Sequence, residues 1–162
     1  MKMVKYLICT AMLLGATACI DFEQDKQKFY NLEEIKNTEW YNEDIIGKTY
    51  YSINYTDVES KEKAEWYNGQ MKGYSDPERT NEIDNLTRTF IYNFTPATTE
   101  QRAVVKTKFE DGVHLDGYVI PKGNLQVGSK DVYIILLFEV NEDGEILMDN
   151  GNYKSTLMMW KE

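Results

Sequence analysis

Histidine and cysteine are almost missing from this 162-residue chain, which has one histidine, His114, and two cysteines, Cys9 and Cys19. A zinc centre needs three or four nitrogen or sulfur ligands, and a nucleophilic Ser or Cys needs a base beside it. One histidine supplies neither set, and in GVHLDG it alternates with Val113 and Leu115, so it is expected to face solvent. There is no glycine-rich phosphate loop and no dinucleotide fingerprint. Basic residues are also in deficit, 18 against 27 acids, for a net charge of −9. A surface of that sign repels nucleic acid and anionic lipid, so neither is an expected partner. Paired carboxylates could hydrolyse glycosides, but with 27 acids in the chain some pair always falls within reach, so their number indicates nothing. No catalytic residue, cofactor or metal-ligating set is predicted, and the chain is read as a non-enzyme.

Long apolar runs are absent as well, with one short exception at the N-terminus. Lys2 and Lys5 precede an uncharged, mostly apolar stretch from Tyr6 to Ala18. As a helix it would span roughly 20 Å, short of a bilayer core of about 30 Å. A basic start, a short apolar middle and a small-residue end predict a secretory signal peptide over 1–18, cleaved after Ala16-Thr17-Ala18. Cys9 falls inside the removed segment, which leaves Cys19 as the only cysteine of the mature chain. A single exported thiol can form neither an internal disulfide nor a metal cluster. Ala16-Thr17-Ala18-Cys19 resembles the lipobox of bacterial lipoproteins, with Ala16 where leucine is usual. That resemblance implies lipidation of Cys19, with palmitate among the acyl chains, and membrane attachment through the lipid. One acyl chain holds a protein marginally and two hold it firmly. Asp21, Glu23 and Asp25 follow and resemble the surface-export signal of Bacteroidetes-type lipoproteins. This implies the outer membrane, with the domain facing the cell exterior. Residues 19–28 are charged and polar, as a tether should be.

The remaining segment, 29–162, is of single-domain size. Beyond Ala18 lie all 27 acids and 16 of the bases, so the mature balance is −11. With no disulfide available, an apolar core must hold the fold, and 12 tyrosines suit half-buried pleated surfaces. Phe29, Leu32 and Ile35 recur at helical spacing and predict a short N-terminal helix, ended by Asn37. Thr49, Tyr51, Ile53 and Tyr55 alternate with polar neighbours and predict a strand. Residues 57–85 are ambiguous: Ala64, Tyr67, Met71 and Tyr74 form a helical stripe, while Asn68-Gly69 signals a hairpin turn. A short helix or irregular excursion is expected there. From Leu86 the alternation is regular: LTRTFIYNFT, then RAVVKTKF, a turn at Asp111-Gly112, VHLDGYVI ending at Pro121, DVYIILLFEV, EILM and YKSTLMMW. NEDG and DNGN supply the Asn or Asp with Gly that tight turns use, rather than calcium loops. Six or seven strands with short links predict an antiparallel up-and-down meander, closed into a barrel in preference to a sandwich.

A helix-like lead, then IIGKTYY, then a β meander is similar to small lipocalin-like lipoproteins. The lipocalin first strand opens Gly-x-Trp. Gly47-Lys48-Thr49-Tyr50 keeps the glycine, puts Thr49 at the Trp position and follows it with an aromatic. The resemblance implies a barrel with one open end and carries over no ligand.

Function is therefore expected to lie in binding. Trp40, Tyr41, Tyr50, Tyr51, Trp66, Tyr67 and Tyr74 crowd the first half of the chain. Aromatics with a polar tip suit a glycan, a small amphipathic ligand or a protein partner. Tyr51 and Tyr55 share a face with Ile53 and are assigned to the core, which leaves Tyr50, Trp66 and Tyr67 as the candidate ligand cluster. The alternative is an anchored protease inhibitor or immunity protein acting through a protruding loop, PKGNLQVGSKD or YSDPERTNEIDN. A weak hydrolase is the third possibility.

Overall fold

The computed structural model describes residues 35–98 and 102–162. The signal peptide, Cys19, the tether and all of the expected helix except Ile35 lie outside the described residues. Ten strands follow in order: β1 Thr38–Asp44, β2 Thr49–Glu59, β3 Tyr67–Tyr74, β4 Arg88–Thr95, β5 Val104–Phe109, β6 His114–Val127, β7 Lys130–Glu139, β8 Met148–Asp149, β9 Asn152–Tyr153 and β10 Thr156–Lys161. Eight of them form a closed antiparallel barrel, and β8 and β9 make a separate two-stranded ribbon. Each barrel strand pairs with the next in the chain, and β1 closes the ring against β10 at Tyr41↔Trp160. Closure removes the free edges that an open sheet would present.

Alternation decides what faces inward. Trp40, Ile53, Tyr55, Tyr92, Val105, Val119, Ile135, Leu137 and Met159 are each 0–1% exposed. They join one core cluster with Met71, Phe90, Phe109 and Leu115. Tyr55 sets its ring edge-on to Tyr92, with centroids 4.7 Å apart, and Phe90 packs on Phe109 at 5.3 Å. An eight-stranded barrel is just wide enough for side chains to fill it, and this one is filled through its middle. The Tyr55 hydroxyl faces Met159 Sδ at 3.7 Å, and its burial drives its pKa well above the ordinary tyrosine value.

Several expectations need correction, among them EILM, which makes an isolated bridge at Ile146 and gives Met148 to the β8–β9 ribbon rather than forming a barrel strand. Residues 57–85 form neither a helix nor a purely irregular excursion, because β2 continues to Glu59 and 67–74 are strand β3. Tyr67, Gly69, Met71 and Gly73 alternate toward the interior, but the two glycines show no apolar side chain in the sequence. Their room is used by neighbours: a Cβ on Gly69 would lie 2.1 Å from the Phe90 ring, and one on Gly73 would lie 2.7 Å from Leu86 Cβ. Asn68-Gly69 is thus mid-strand, not a turn. Pro121 does not end its strand, since β6 runs through it to Val127 with a register shift between Ile120 and Leu125. Proline is tolerated where ladder pairing is already interrupted. PKGNLQVGSKD is accordingly strand plus a tight turn at Gly128, not a loop. Finally, TEWYNED forms β1, which alternation did not reveal because Trp40 alone carries its apolar inner face.

The turns at Asp111-Gly112, NEDG and DNGN are as expected. Gly112, Gly144 and Gly151 have φ of 87°, 83° and 81°. Asn141 Oδ1 accepts hydrogen bonds from the Asp143 and Glu145 amides and braces its own turn.

Candidate functional site

The aromatic trio does not converge. Tyr50 opens β2 opposite Tyr74, whereas Tyr67 opens β3 opposite Glu59. Nine residues of strand separate the two ends, roughly 30 Å. Tyr67 packs against the core and stacks at 5.9 Å on Tyr92, with Lys36 Nζ 3.9 Å from its ring centroid. Trp66 is half-buried beneath Lys63, whose Nζ lies 4.0 Å from its ring. Tyr50, Trp66 and Tyr67 therefore occupy two opposite ends of the barrel, and only the last two are neighbours.

A different feature has the shape of a site. On the outer face of β3, β4 and β5 lies a groove of about 590 Å³, lined by Glu62, Asn68, Thr89, Ile91, Lys108 and Glu110 among others. The sequence builds it through register. Asn68 pairs with Ile91, and Ile91 with Lys108, so these three outward residues stand side by side on adjacent strands. The 60–66 connection bends back beside β4, held by the Asn93 amide donating to Glu65 O at 2.9 Å. This brings Glu62 over one side, while the 110–113 turn brings Glu110 to the other. Ile91, 9% exposed, makes an apolar floor. The side chains of Glu62, Lys108 and Glu110 form no ion pair or hydrogen bond among the described residues. Thr89 Oγ1 is buried without a partner, and a buried unsatisfied hydroxyl costs about 1–3 kcal/mol. One free cation, two free carboxylates and an apolar floor suit a small polar ligand that carries groups of both signs or several hydroxyls.

The 75–87 connection closes part of one barrel end. Leu86, in a single 3₁₀ turn over Asp84–Leu86, sits over Gly73. Asp76 organises the loop: its Oδ2 accepts from the Thr80 amide and hydroxyl, and its Oδ1 from the Asn81 amide at 2.6 Å. Those hydrogen bonds, the one from the Thr80 amide first, hold its pKa below the ordinary value. A depressed carboxylate contributes order above the ordinary Asp range, and the contribution is lost as pH falls through the lowered value. The protection of the Thr80 and Asn81 amides, corrected for the intrinsic exchange rate at each pH, is therefore expected to hold through the ordinary aspartate range and to be lost only below it. Asp76→Asn should abolish that acid dependence. Arg79, at φ 57°, donates from Nε to Tyr51 O at 3.1 Å and stacks 4.4 Å over Tyr41. Tyr41 in turn packs on Trp160 at 5.2 Å.

His114 points outward, as alternation predicted: it is half-exposed beside buried Leu115. Glu82 is held below its ordinary value by Lys72, which donates to it at 3.0 Å. The carboxylates with resolved shifts, Asp76 and Glu82, both move down, opposite to what a general acid at neutral pH requires. Among the described residues no three His, Cys, Asp or Glu side chains are gathered as a metal site, and no helix is long and apolar enough to cross a membrane. Comparisons with family models, curated proteins and solved structures found no match.

The sequence offered no signal for the groove. Its residues come from separate segments and none belongs to a motif. Only the strand register and the fold-back of 60–66 bring residues 62, 68, 91 and 108 together.

Proposed function

We propose that this protein is a lipid-anchored cell-envelope binding module. In this reading Cys19 carries the lipid, residues 19–28 form the tether, and a lipocalin-like barrel led by a short helix faces the exterior from the outer membrane. The lipid reading rests on the lone mature cysteine at the border of a cleavable segment. The binding reading rests on one geometric observation: side chains fill the barrel middle, while the outer groove over Ile91 keeps Lys108, Glu62 and Glu110 unpaired. The recognition site is therefore this groove rather than the barrel interior or the Tyr50–Trp66–Tyr67 trio. Its ligand is a glycan or a small amphipathic or zwitterionic molecule.

Saturation-transfer NMR of the full chain with disaccharides and dipeptides tests the assignment. Ile91→Arg, which fills the floor with a long cation, should weaken binding at least about tenfold while circular dichroism stays unchanged. Binding that survives Ile91→Arg but disappears in Trp66→Ala would return the site to the aromatics.

One observation favours the second reading, an anchored inhibitor or immunity protein. The 75–87 connection is braced by Asp76 and Arg79, and a preorganised loop loses less entropy when a partner docks on it. A tight complex between the full chain and a single secreted protein, unaffected by Ile91→Arg, would favour that reading.

A further inference from the structure

The two ends of the barrel differ in charge and in exposed apolar surface. Ile35 lies at the end that also holds the 60–66 and 128–129 connections and residues 96–98 and 102–103. These described residues include three basic and two acidic side chains. The opposite end carries the 45–48, 75–87, 110–113 and 140–155 connections. They hold ten acids against three bases. Lys72 offsets Glu82 and Arg88 offsets Asp111, but Glu78, Asp84, Glu142, Asp143 and Asp149 form no ion pair.

Four large exposed apolar residues lie at this same acidic end, against Val58 beside the 60–66 connection at the other. Ile45 is 70% exposed, Ile46 79%, Met148 54% and Ile146 45%. The two isoleucines are not on a loose loop. Asp44 Oδ1 accepts hydrogen bonds from the Ile46 and Gly47 amides, at 3.1 and 3.0 Å, and fixes the turn. β1 lies beside β10 in the ring, so the 45–48 turn stands next to the 140–155 connection that carries Ile146 and Met148. Exposing β-branched apolar side chains on a fixed turn has no folding benefit, and contiguous exposed apolar surface marks interaction sites.

We propose that this end is a docking surface for a cationic, amphipathic protein or peptide segment, whose apolar side chains cover Ile45 and Ile46 while its Lys or Arg residues face the surrounding carboxylates. Charge complementarity selects this occupant. An anionic membrane surface is repelled by the unpaired acids, and so is a second copy of a chain with net charge −9. The surface meets the groove over Ile91 only at the 110–113 connection, through Glu110, and does not depend on the groove having a ligand.

The test uses the full chain in neutral-lipid nanodiscs and a fluorescein-labelled amphipathic Lys/Leu peptide. A Lys/Ser peptide of equal charge and a Glu/Leu peptide of equal apolarity serve as controls. The Lys/Leu peptide should bind at least about tenfold more tightly than either control. Ile45→Ser/Ile46→Ser should weaken it by about the same factor, as should high salt. Hydrogen-exchange protection should appear at 45–48 and 140–155. Glu59→Gln/Glu65→Gln, at the other end and outside the groove over Ile91, should change nothing. Unchanged binding to the double serine variant, or protection centred on 60–66, would overturn the proposal. So would self-association or binding to anionic vesicles that disappears in the double serine variant, because the occupant would then be a second copy or a membrane. Loss of disaccharide or dipeptide binding in Ile91→Arg has no bearing on this surface, so the two assignments fail separately.

Discussion

Gly117→Ala is expected to destabilise the barrel by at least about 3 kcal/mol, at or beyond the upper range for overpacking a well-filled site. Gly117 lies in β6 between Val105 on β5 and Leu137 on β7. A Cβ there would stand 1.8 Å from the Leu136 carbonyl oxygen and 2.7 Å from its carbon. The obstacle is backbone within a paired ladder, so no rotamer change relieves it. The strands must separate locally and give up hydrogen bonds on both sides. A domain of this size has about 5–15 kcal/mol in total, so the loss takes a large share. Gly112→Asn is the comparison: nothing lies within 4 Å, so the cost is confined to the backbone strain of a side chain at φ 87°, which asparagine bears better than most residues. Urea titrations followed by tyrosine and tryptophan fluorescence should show a much lower midpoint for Gly117→Ala and a smaller decrease for Gly112→Asn. Equal midpoints would mean that β6 and β7 are not packed as closely as described.

The clash explains why parts of the fold could be read from sequence and others could not. Strand β5 buries Val105, Thr107 and Phe109 and exposes its lysines, so period-two alternation shows it directly, whereas β7 is buried on both faces and shows as a continuous apolar run. In β3 two inner positions are glycines, and the side chains using that space, Phe90 and Leu86, belong to another segment. Periodicity counts what a residue carries, not the room it leaves, and the stripe of Ala64, Tyr67, Met71 and Tyr74 therefore read as helical. β1 is concealed in another way: Glu39, Tyr41 and Glu43 face out, and Thr38 and Asn42 flank Trp40 on the inner side. At Pro121 a sound local rule met a register shift that only the pairing reveals. The groove depends on three-strand register and on the fold-back of 60–66, neither of which is local in sequence. Of the aromatics, Tyr55 was rightly placed in the core by its strand mates, while the Tyr50–Trp66–Tyr67 grouping followed proximity in sequence that the barrel does not keep.

The second large effect concerns location rather than stability. A chain with mature charge −11 gains nothing from electrostatics at an anionic membrane. Within 35–98 and 102–162 no apolar helix is available to hold it there. In the anchored-module proposal, attachment rests on acyl chains, each buried CH₂ contributing about 0.8 kcal/mol, and two chains hold where one does not. Replacing the thiol removes the acceptor of the thioether while leaving the described barrel untouched, because Cys19 is sixteen residues before Ile35. Cys19→Ser should therefore fold and unfold like the wild type yet lose almost all membrane association.

The most direct measurement combines envelope fractionation with mass spectrometry of the N-terminal peptide, on wild type and Cys19→Ser expressed in a bacterium with lipoprotein-processing enzymes. The wild type should sediment with membranes and begin at a Cys19 bearing a diacylglyceryl thioether, with the serine variant in the soluble fraction. An unmodified Cys19 in the wild type, or a serine variant that sediments equally with membranes, would contradict the anchored-module account.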